Sequence, residues 1–212
     1  MTSHENTLLK SFVLFILLLL LGIAITVYTQ SKTLAPAKAA SVSTHPAVLV
    51  PPKPVAAKVQ ETTVDSAKAD QKLVLRSVPG QNGTTTYSFL ITNFDGGSPR
   101  TLLTKTLGPR ATMSLPWNSW DPTDTYIFVG EKEGSVQNYY VLRADGSSFA
   151  SGDKFIDVGA VWVSRNLGLT IREATGWASG TLLIIYTSKD DGSKGPPYWF
   201  EIPSSATIQL AG

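Results

Sequence analysis

The sequence predicts an all-β domain that follows an N-terminal transmembrane helix and a disordered linker. Three observations carry this prediction. An apolar run lies near the start of the chain, the composition changes sharply after it, and the last two thirds show the patterning of short strands and tight turns. The elements are taken in chain order below.

The first element is an apolar run from Phe12 to Tyr28, with no charged residue between Lys10 and Lys32. A helix rises about 1.5 Å per residue and the hydrocarbon core of a bilayer is about 30 Å thick, so about 20 such residues span it. We therefore predict an N-terminal tail at residues 1–10 and a transmembrane signal anchor at residues 11–29. A cleaved signal peptide is the alternative, because small residues suited to cleavage occur between residues 35 and 39. The length of the apolar run favours the anchor.

The flanking charges leave the orientation of the anchor open. Lys10 precedes the run, whereas Lys32 and Lys38 follow it, and the positive-inside rule would place the C-terminal side in the cytoplasm. The short N-terminal tail and the Ala, Pro and Ser content of the following segment favour the opposite orientation. We expect a single-pass membrane protein whose C-terminal domain is extracytoplasmic.

Residues 30–71 are rich in Pro, Ala and Lys, and no aromatic residue occurs between Tyr28 and Tyr87. Such a segment cannot bury enough apolar surface to offset the entropy of ordering it. We predict a disordered linker that tethers the domain to the membrane.

Residues 72–212 are predicted to form the β-rich domain, because runs of Val, Ile, Tyr, Phe and Thr alternate with Gly, Pro and Asp-Gly turns. One stretch, residues 163–175, is read as a short helix or turn, because Thr170 is followed by Glu173 in a capping-box spacing. The predicted strands are Leu73–Val78, Thr86–Asn93, Thr101–Thr106, Tyr126–Glu131, Tyr139–Ala144, Phe155–Val158, Leu182–Thr187, Tyr198–Ile202 and Ala206–Leu210.

Parts of this domain resemble one another. The segment from Trp120 to Gly134 and the segment from Trp177 to Gly192 each contain a Trp, a turn, an apolar strand and a charged turn that ends in Gly. An aromatic strand follows each, and a looser third copy begins at Leu73. Repeats of about four strands every 40–50 residues are typical of propeller blades.

The segment from Phe89 to Thr104, with its Asp-Gly-Gly turn and following Arg, resembles the repeats of TolB-type, WD40-like β-propeller proteins. The segment from Trp120 to Phe128 is similar to the Trp-Ser-Pro-Asp-Gly turn of those repeats, with Asp121 in place of Ser. The resemblance covers two to three blades, and it also extends to single-anchor bacterial envelope proteins. It implies propeller-like blades.

Two to three blades do not close a propeller, which usually needs at least four. Three arrangements therefore stay open. The copies could complete a propeller between chains, they could form a β-sandwich or barrel, or the similarity could be the ordinary pattern of β-hairpins.

Composition excludes several kinds of chemistry. Residues 72–212 contain neither His nor Cys, which excludes Ser-His-Asp and Cys-His catalysis and the usual zinc sites. They carry twelve basic and twelve acidic residues, which argues against a nucleic-acid partner. We predict no catalytic residues, no metal site and no cofactor.

Carboxylates are the remaining candidates for chemistry. Asp121 with Asp124, Glu131 with Glu133, and Asp153 with Asp157 are pairs in sequence, as a glycoside hydrolase would need, but charges of turns and edge strands are the favoured reading. The stretch from Asp190 to Ser193 offers oxygen ligands for calcium, although a plain hairpin turn is favoured.

Aromatic residues carry the predicted binding site, because they stack on sugars and anchor protein interfaces. Trp120 and Trp177 are expected to fill equivalent core positions of the repeat. Tyr139 and Tyr140 point to opposite faces of a strand, so one of the two is expected to be exposed. The predicted binding residues are Trp117, Tyr140, Trp162 and Trp199.

The sequence therefore predicts a membrane-anchored, non-enzymatic β domain that binds a protein or polysaccharide of the cell envelope. Two alternatives stay open. The chain could be a structural subunit that assembles with copies of itself as a homo-oligomer, or a carboxylate-based glycan hydrolase.

Overall fold

Twelve strands form three four-stranded sheets in a computed structural model that describes residues 58–211. Each sheet is an antiparallel meander whose strands are neighbours in both sequence and space. The first sheet comprises β1 (Gln60–Asp65), β2 (Gln71–Pro79), β3 (Thr85–Asn93) and β4 (Arg100–Leu107). The second comprises β5 (Ala111–Ser114), β6 (Tyr126–Glu133), β7 (Val136–Arg143) and β8 (Phe155–Asp157). The third comprises β9 (Thr170–Ser179), β10 (Leu182–Ser188), β11 (Tyr198–Glu201) and β12 (Ala206–Gln209).

One turn design recurs once in each sheet. Asp95, Asp145 and Asp191 each accept a hydrogen bond from the backbone N–H two residues later, at 2.8–2.9 Å. The glycine after each Asp has a positive φ, between 71° and 85°, which glycine adopts without a steric cost. Hydrogen bonds from Arg143 and Ser147 also hold the pKa of Asp145 well below its usual range. Because Asp191 and Gly192 follow this turn design, the stretch from Asp190 to Ser193 is a tight turn, as expected.

The second sheet packs against both of the others. On β6, Ile127 and Val129 contact the first sheet, while Phe128 between them contacts the third. On β7, Leu142 and Val141 divide in the same way. This alternation follows from the two-residue period of a strand. A strand covered on both faces has a continuous apolar run rather than an alternating pattern, and the residues Tyr126–Val129 of β6 and Tyr139–Leu142 of β7 are such runs.

Two hydrophobic cores result, one between each pair of neighbouring sheets. Each fully buried Phe contributes about 2–3 kcal/mol through the removal of its ring from water. The first core includes Leu73, Phe89, Ile91, Ile127, Val129 and Leu142. The second includes Phe128, Val141, Leu183, Ile185, Phe200 and Ile202.

The nine predicted strands are all present, with ends that differ by up to three residues. The all-β fold class is therefore confirmed. The sheets are open, with two edge strands each, and none of them closes on itself in the part of the chain that is described.

Three strands were not predicted. β1 lies in the range predicted as the linker. It was missed because its sequence is polar and only Val64 of its six residues is withdrawn from solvent. β5 has four residues, of which Met113 alone is buried. β9 begins inside the range predicted as a helix or turn, residues 163–175, whose first half holds the end of a helix and a turn. Thr170 and Glu173 lie in β9 rather than in a capping box. Three register shifts against β10 break its two-residue pattern.

The single α-helix of the described residues, α1 (Val158–Ser164), follows β8 directly, and a 3-10 turn at Gln81–Gly83 joins β2 to β3. Its N-cap is Asp157, whose carboxylate accepts a hydrogen bond from the Ala160 N–H at 2.9 Å. Among residues 58–211, no helix is long and apolar enough to cross a membrane. The predicted tail and anchor, residues 1–29, and most of the predicted linker lie outside the described residues.

Candidate binding site

A pocket of about 540 Å³ lies at the edge of the sheets where their first strands are found, and three tryptophans line it. The pocket is lined from three directions: the end of β1, the segment between β5 and β6, and the hairpin of β9 and β10. We call it the tryptophan pocket and define it by Asp65, Trp117, Asn118, Trp120, Thr175 and Trp177.

Two of the three indoles are held in fixed positions. Trp120 is buried and donates from Nε1 to the backbone oxygen of Val64 at 3.2 Å. Trp177 is half-buried and donates to the backbone oxygen of Ser119 at 3.1 Å. The Val64 oxygen belongs to β1, the first strand of the first sheet. The Ser119 oxygen belongs to the loop between β5 and β6, the first two strands of the second sheet. Buried N–H groups with partners of this kind make rigid walls.

Trp117 differs from both, because 83% of its surface is exposed. It lies in a tight turn in which Ser119 donates twice to the backbone oxygen of Pro116, from its N–H at 3.2 Å and from its hydroxyl at 2.6 Å. An indole held in solvent on an ordered turn loses little entropy when it stacks on a ligand. Such residues are enriched at binding sites.

The polar groups of the pocket come from all three sheets. The Asn118 side chain donates from Nδ2 to the backbone oxygen of Thr175, which ties the loop to β9. Gly176 is required at this contact, since its φ is +131° and a Cβ would lie 2.5 Å from Asn118 Nδ2. Asp65 is exposed and brings a carboxylate to the same pocket.

The turn under the pocket is organised by two carboxylates with structural roles. Asp121 is fully buried and accepts hydrogen bonds from the backbone N–H groups of Thr123, Thr125 and Tyr126, at 2.6–2.8 Å. Asp124 accepts from the N–H groups of the turn between β1 and β2, at 2.8 and 3.2 Å. This pair is used to hold the backbone together and does not face a cleft.

In each of the other two pairs, one carboxylate has a structural role. Asp157 caps α1 and accepts from Asn138, while Glu131 contacts Lys105 and Tyr140. Glu133 and Asp153 are exposed, and Asp153 lines a shallow pocket together with Asp157. In the described part of the chain, no three His, Cys, Asp or Glu side chains come together to hold a metal ion.

Tyr140, a predicted binding residue, is 4% exposed and lies in the first core. Its hydroxyl donates to Glu131 at 2.8 Å and accepts from Lys105 Nζ at 2.6 Å. Burial raises the pKa of the Tyr140 hydroxyl, although Lys105 acts in the opposite direction. Burial acts to lower the pKa of Lys105, but the hydrogen bonds to Glu131 and Tyr140 outweigh it and raise this pKa. The expectation that either Tyr139 or Tyr140 is exposed is wrong, because sheets cover both faces of β7.

The structure does not bring the four predicted binding residues together. Trp162 is 3% exposed, donates to the backbone oxygen of Leu169 at 2.8 Å, and lines a separate apolar groove beside Val136 and Val163. Trp199 lies half-buried on the outer face of the third sheet. Of the four, Trp117 alone lies in the tryptophan pocket.

Sequence reasoning missed the polar residues of the pocket. Asp65 lies in the predicted linker, and Asn118 and Thr175 are 57 residues apart. No local pattern marks them, since their proximity depends on the packing of the sheets. No family model, curated protein or solved structure matches this chain.

Proposed function

We propose that this chain is a membrane-anchored, non-enzymatic protein of the cell envelope, whose β domain binds a partner in the tryptophan pocket. The observation that carries the proposal is the exposed indole of Trp117 beside the two fixed indoles. A concave site with a few convergent polar groups is the usual form of a ligand site.

A polysaccharide is the favoured partner. A flat indole stacks on the C–H face of a sugar, while the carboxylate of Asp65 and the amide of Asn118 suit its hydroxyls. The equal numbers of acidic and basic residues in residues 72–212 also fit a neutral ligand. A protein partner is the second candidate, because an exposed Trp is also typical of protein interfaces.

The non-enzymatic part of the proposal is supported by the structural role of at least one carboxylate in each of the three sequence pairs. Asp121, Asp124 and Asp157 accept backbone hydrogen bonds, and Glu131 contacts Lys105 and Tyr140. A glycan hydrolase would need two carboxyl groups about 5–10 Å apart across an open cleft.

We also propose that the three sheets are blades related to TolB-type repeats. Three observations support this. The sheets are four-stranded meanders in chain order, Tyr87, Tyr139 and Tyr198 all lie on third strands, and the Trp120 and Trp177 N–H groups reach carbonyls 56 and 58 residues earlier.

The first prediction tests the pocket with Trp117→Ala in the full chain. Tryptophan fluorescence would be titrated with oligomers of N-acetylglucosamine as the glycan probe and with a Pro-rich peptide as the protein probe. Loss of the stacked indole is expected to weaken binding at least tenfold, about 1.4 kcal/mol. The unfolding temperature should not change, because the indole is exposed.

Val163→Ala is the matched control, because Val163 is also exposed, at 78%, but lies on α1 outside the pocket. Equal affinities of the wild-type chain and Trp117→Ala would contradict the assignment of the pocket. Binding of the peptide alone would replace the polysaccharide with a protein partner.

A further inference from the structure

The tryptophan pocket has an excess of negative charge. Among the described residues that line it, Asp65 has the single ionisable side chain, and no lysine, arginine or histidine is present. The three segments that form the pocket, residues 65–72, 116–125 and 175–184, together carry four aspartates and two lysines. Residues 72–212 carry equal numbers of acidic and basic side chains, so this excess is local to the pocket.

Both lysines of these segments have partners other than Asp65. Lys68 lies 3.8 Å from a carboxylate oxygen of Asp124. Lys72 is the cross-strand partner of Asp65, but its Nζ lies over the Phe94 ring, 4.3 Å from the ring centre. Within residues 58–211, no salt bridge joins the Asp65 carboxylate to a cation.

The other three aspartates are engaged by the fold itself. Asp70 accepts a hydrogen bond from the Ser66 hydroxyl at 2.9 Å. Asp121 and Asp124 accept from backbone N–H groups, as the turn under the pocket requires. Asp65 is therefore the carboxylate that a ligand in the pocket can use.

The fixed walls of the pocket offer hydrogen-bond acceptors rather than donors. The indole N–H groups of Trp120 and Trp177 both donate to backbone oxygens, and the Asn118 amide donates to the Thr175 backbone oxygen. The Asp65 carboxylate and the Asn118 Oδ1 atom accept hydrogen bonds. A ligand that brings donors, such as hydroxyl or ammonium groups, is therefore matched better than one that brings a carboxylate or a phosphate.

The indole rings of the pocket suit a positive charge. In the described part of the chain, a lysine or arginine side chain lies over four aromatic rings, and none of the four is a tryptophan. These rings are Phe94, Tyr126, Tyr140 and Tyr186. Tryptophan attracts a cation more strongly than tyrosine or phenylalanine does. The pocket therefore combines a carboxylate with aromatic faces on which none of these cations lies.

We propose that the tryptophan pocket binds polysaccharides whose sugars carry free amino groups, and that it prefers them to sugars whose amino groups are acetylated. The inference rests on the proposed function, because it names the sugars that the same pocket binds. The protonated amine pairs with the Asp65 carboxylate while the sugar ring stacks on Trp117. The ion pair and the contact of the amine with an indole together should strengthen binding about three- to tenfold.

The test titrates the tryptophan fluorescence of the full chain in detergent micelles at about pH 6, where the sugar amine is protonated. A glucosamine tetramer and an N-acetylglucosamine tetramer are the two probes. The glucosamine tetramer is expected to bind about three- to tenfold more tightly. Asp65→Asn should remove most of this difference, because the amide keeps the shape of the carboxylate but not its charge.

Asp190→Asn is the matched control. Asp190 is also exposed, and its replacement changes the net charge by the same amount, but it lies outside the pocket. This variant should keep the full preference for the glucosamine tetramer. Unfolding temperatures of both variants would verify that they fold like the wild-type chain.

Four results would overturn the proposal. Equal affinities of the wild-type chain for the two tetramers would show that the amine is not recognised, although a polysaccharide partner would stand. Equal losses in Asp65→Asn and Asp190→Asn would reduce the preference to an effect of net charge. Tighter binding of a lysine-containing peptide than of the glucosamine tetramer would assign the pocket to a protein partner. Absence of binding by both tetramers would overturn the polysaccharide assignment together with this inference.

Discussion

At the scale of single residues, a buried carboxylate holds the centre of the domain together. Asp121 is fully buried and accepts hydrogen bonds from three backbone N–H groups and from the Thr123 hydroxyl. A buried N–H group without a partner costs about 1–3 kcal/mol. The turn that Asp121 holds also supports the tryptophan pocket, so its stability and that of the site are linked.

Asp121→Ala is therefore expected to destabilise the domain by at least about 3 kcal/mol, because three N–H groups lose their acceptor. Asp121→Asn keeps one acceptor oxygen and should cost less. Urea unfolding followed by fluorescence measures both. Asp191→Ala is the control, since Asp191 is exposed and accepts one backbone hydrogen bond, from the Ser193 N–H of a hairpin turn. Equal losses at the two positions would show that burial of the Asp121 carboxylate is irrelevant.

At the scale of elements, the sequence predicts strands best where burial is strong and regular. β6 and β7 each contain a run of four apolar or aromatic residues, Tyr126–Val129 and Tyr139–Leu142, because sheets cover both faces there, and their turn signals are clear. β1 was missed because its partner, β2, supplies the apolar surface while β1 itself is polar. β9 was missed because its bulges hide the alternation, and its Arg-Glu-Ala stretch has local helix propensity that pairing with β10 overrides.

The site was less predictable than the strands for a related reason. Trp117 is exposed and Trp120 is buried, although only three positions separate them. Nothing in the sequence around them indicates this difference. Tyr140 and Trp162 were expected to bind a partner, yet both fill cores. Aromatic residues serve both purposes, and the packing of whole sheets decides between them.

Gly176 shows how one bulge shapes the site. In Gly176→Ala, the new Cβ would displace Asn118, and the alanine would have to adopt a backbone conformation that costs about 1–3 kcal/mol. Binding in the tryptophan pocket should weaken several-fold as Asn118 moves, and the domain should lose about 2–3 kcal/mol of stability. Fluorescence titration and urea unfolding measure the two effects.

Gly192→Ala separates the cost of an alanine at positive φ from the cost of the contact with Asn118. Gly192 also has a positive φ, +79°, but no atom lies within 4 Å of the position that its Cβ would take. It should lose the backbone contribution alone, with unchanged binding. If both variants behave alike in both measurements, contact with Asn118 has no role in the pocket.

At the scale of the whole molecule, the domain extends further toward the N-terminus than its composition indicates. β1 covers an edge of the first sheet, supplies the Val64 oxygen that the buried Trp120 N–H requires, and leads into the turn that Asp124 binds. These contacts join the first sheet to the second on the side of the pocket. Residues 60–71 therefore belong to the folded unit, although they lie in the range predicted as the linker.

A chain of residues 58–212 is accordingly expected to be more stable than a chain of residues 72–212, the predicted domain. Removal of β1 leaves the Trp120 N–H without an acceptor and exposes the apolar side of β2, which together cost about 3 kcal/mol. For a domain of this size that corresponds to a decrease of roughly 6–12 °C in unfolding temperature. Differential scanning calorimetry of the two chains measures it, and a third chain in which Thr62 and Val64 are replaced by Ala separates the contribution of their side chains from that of the strand. Equal unfolding temperatures would mean that β1 adds nothing to the fold, and the domain would then begin at β2.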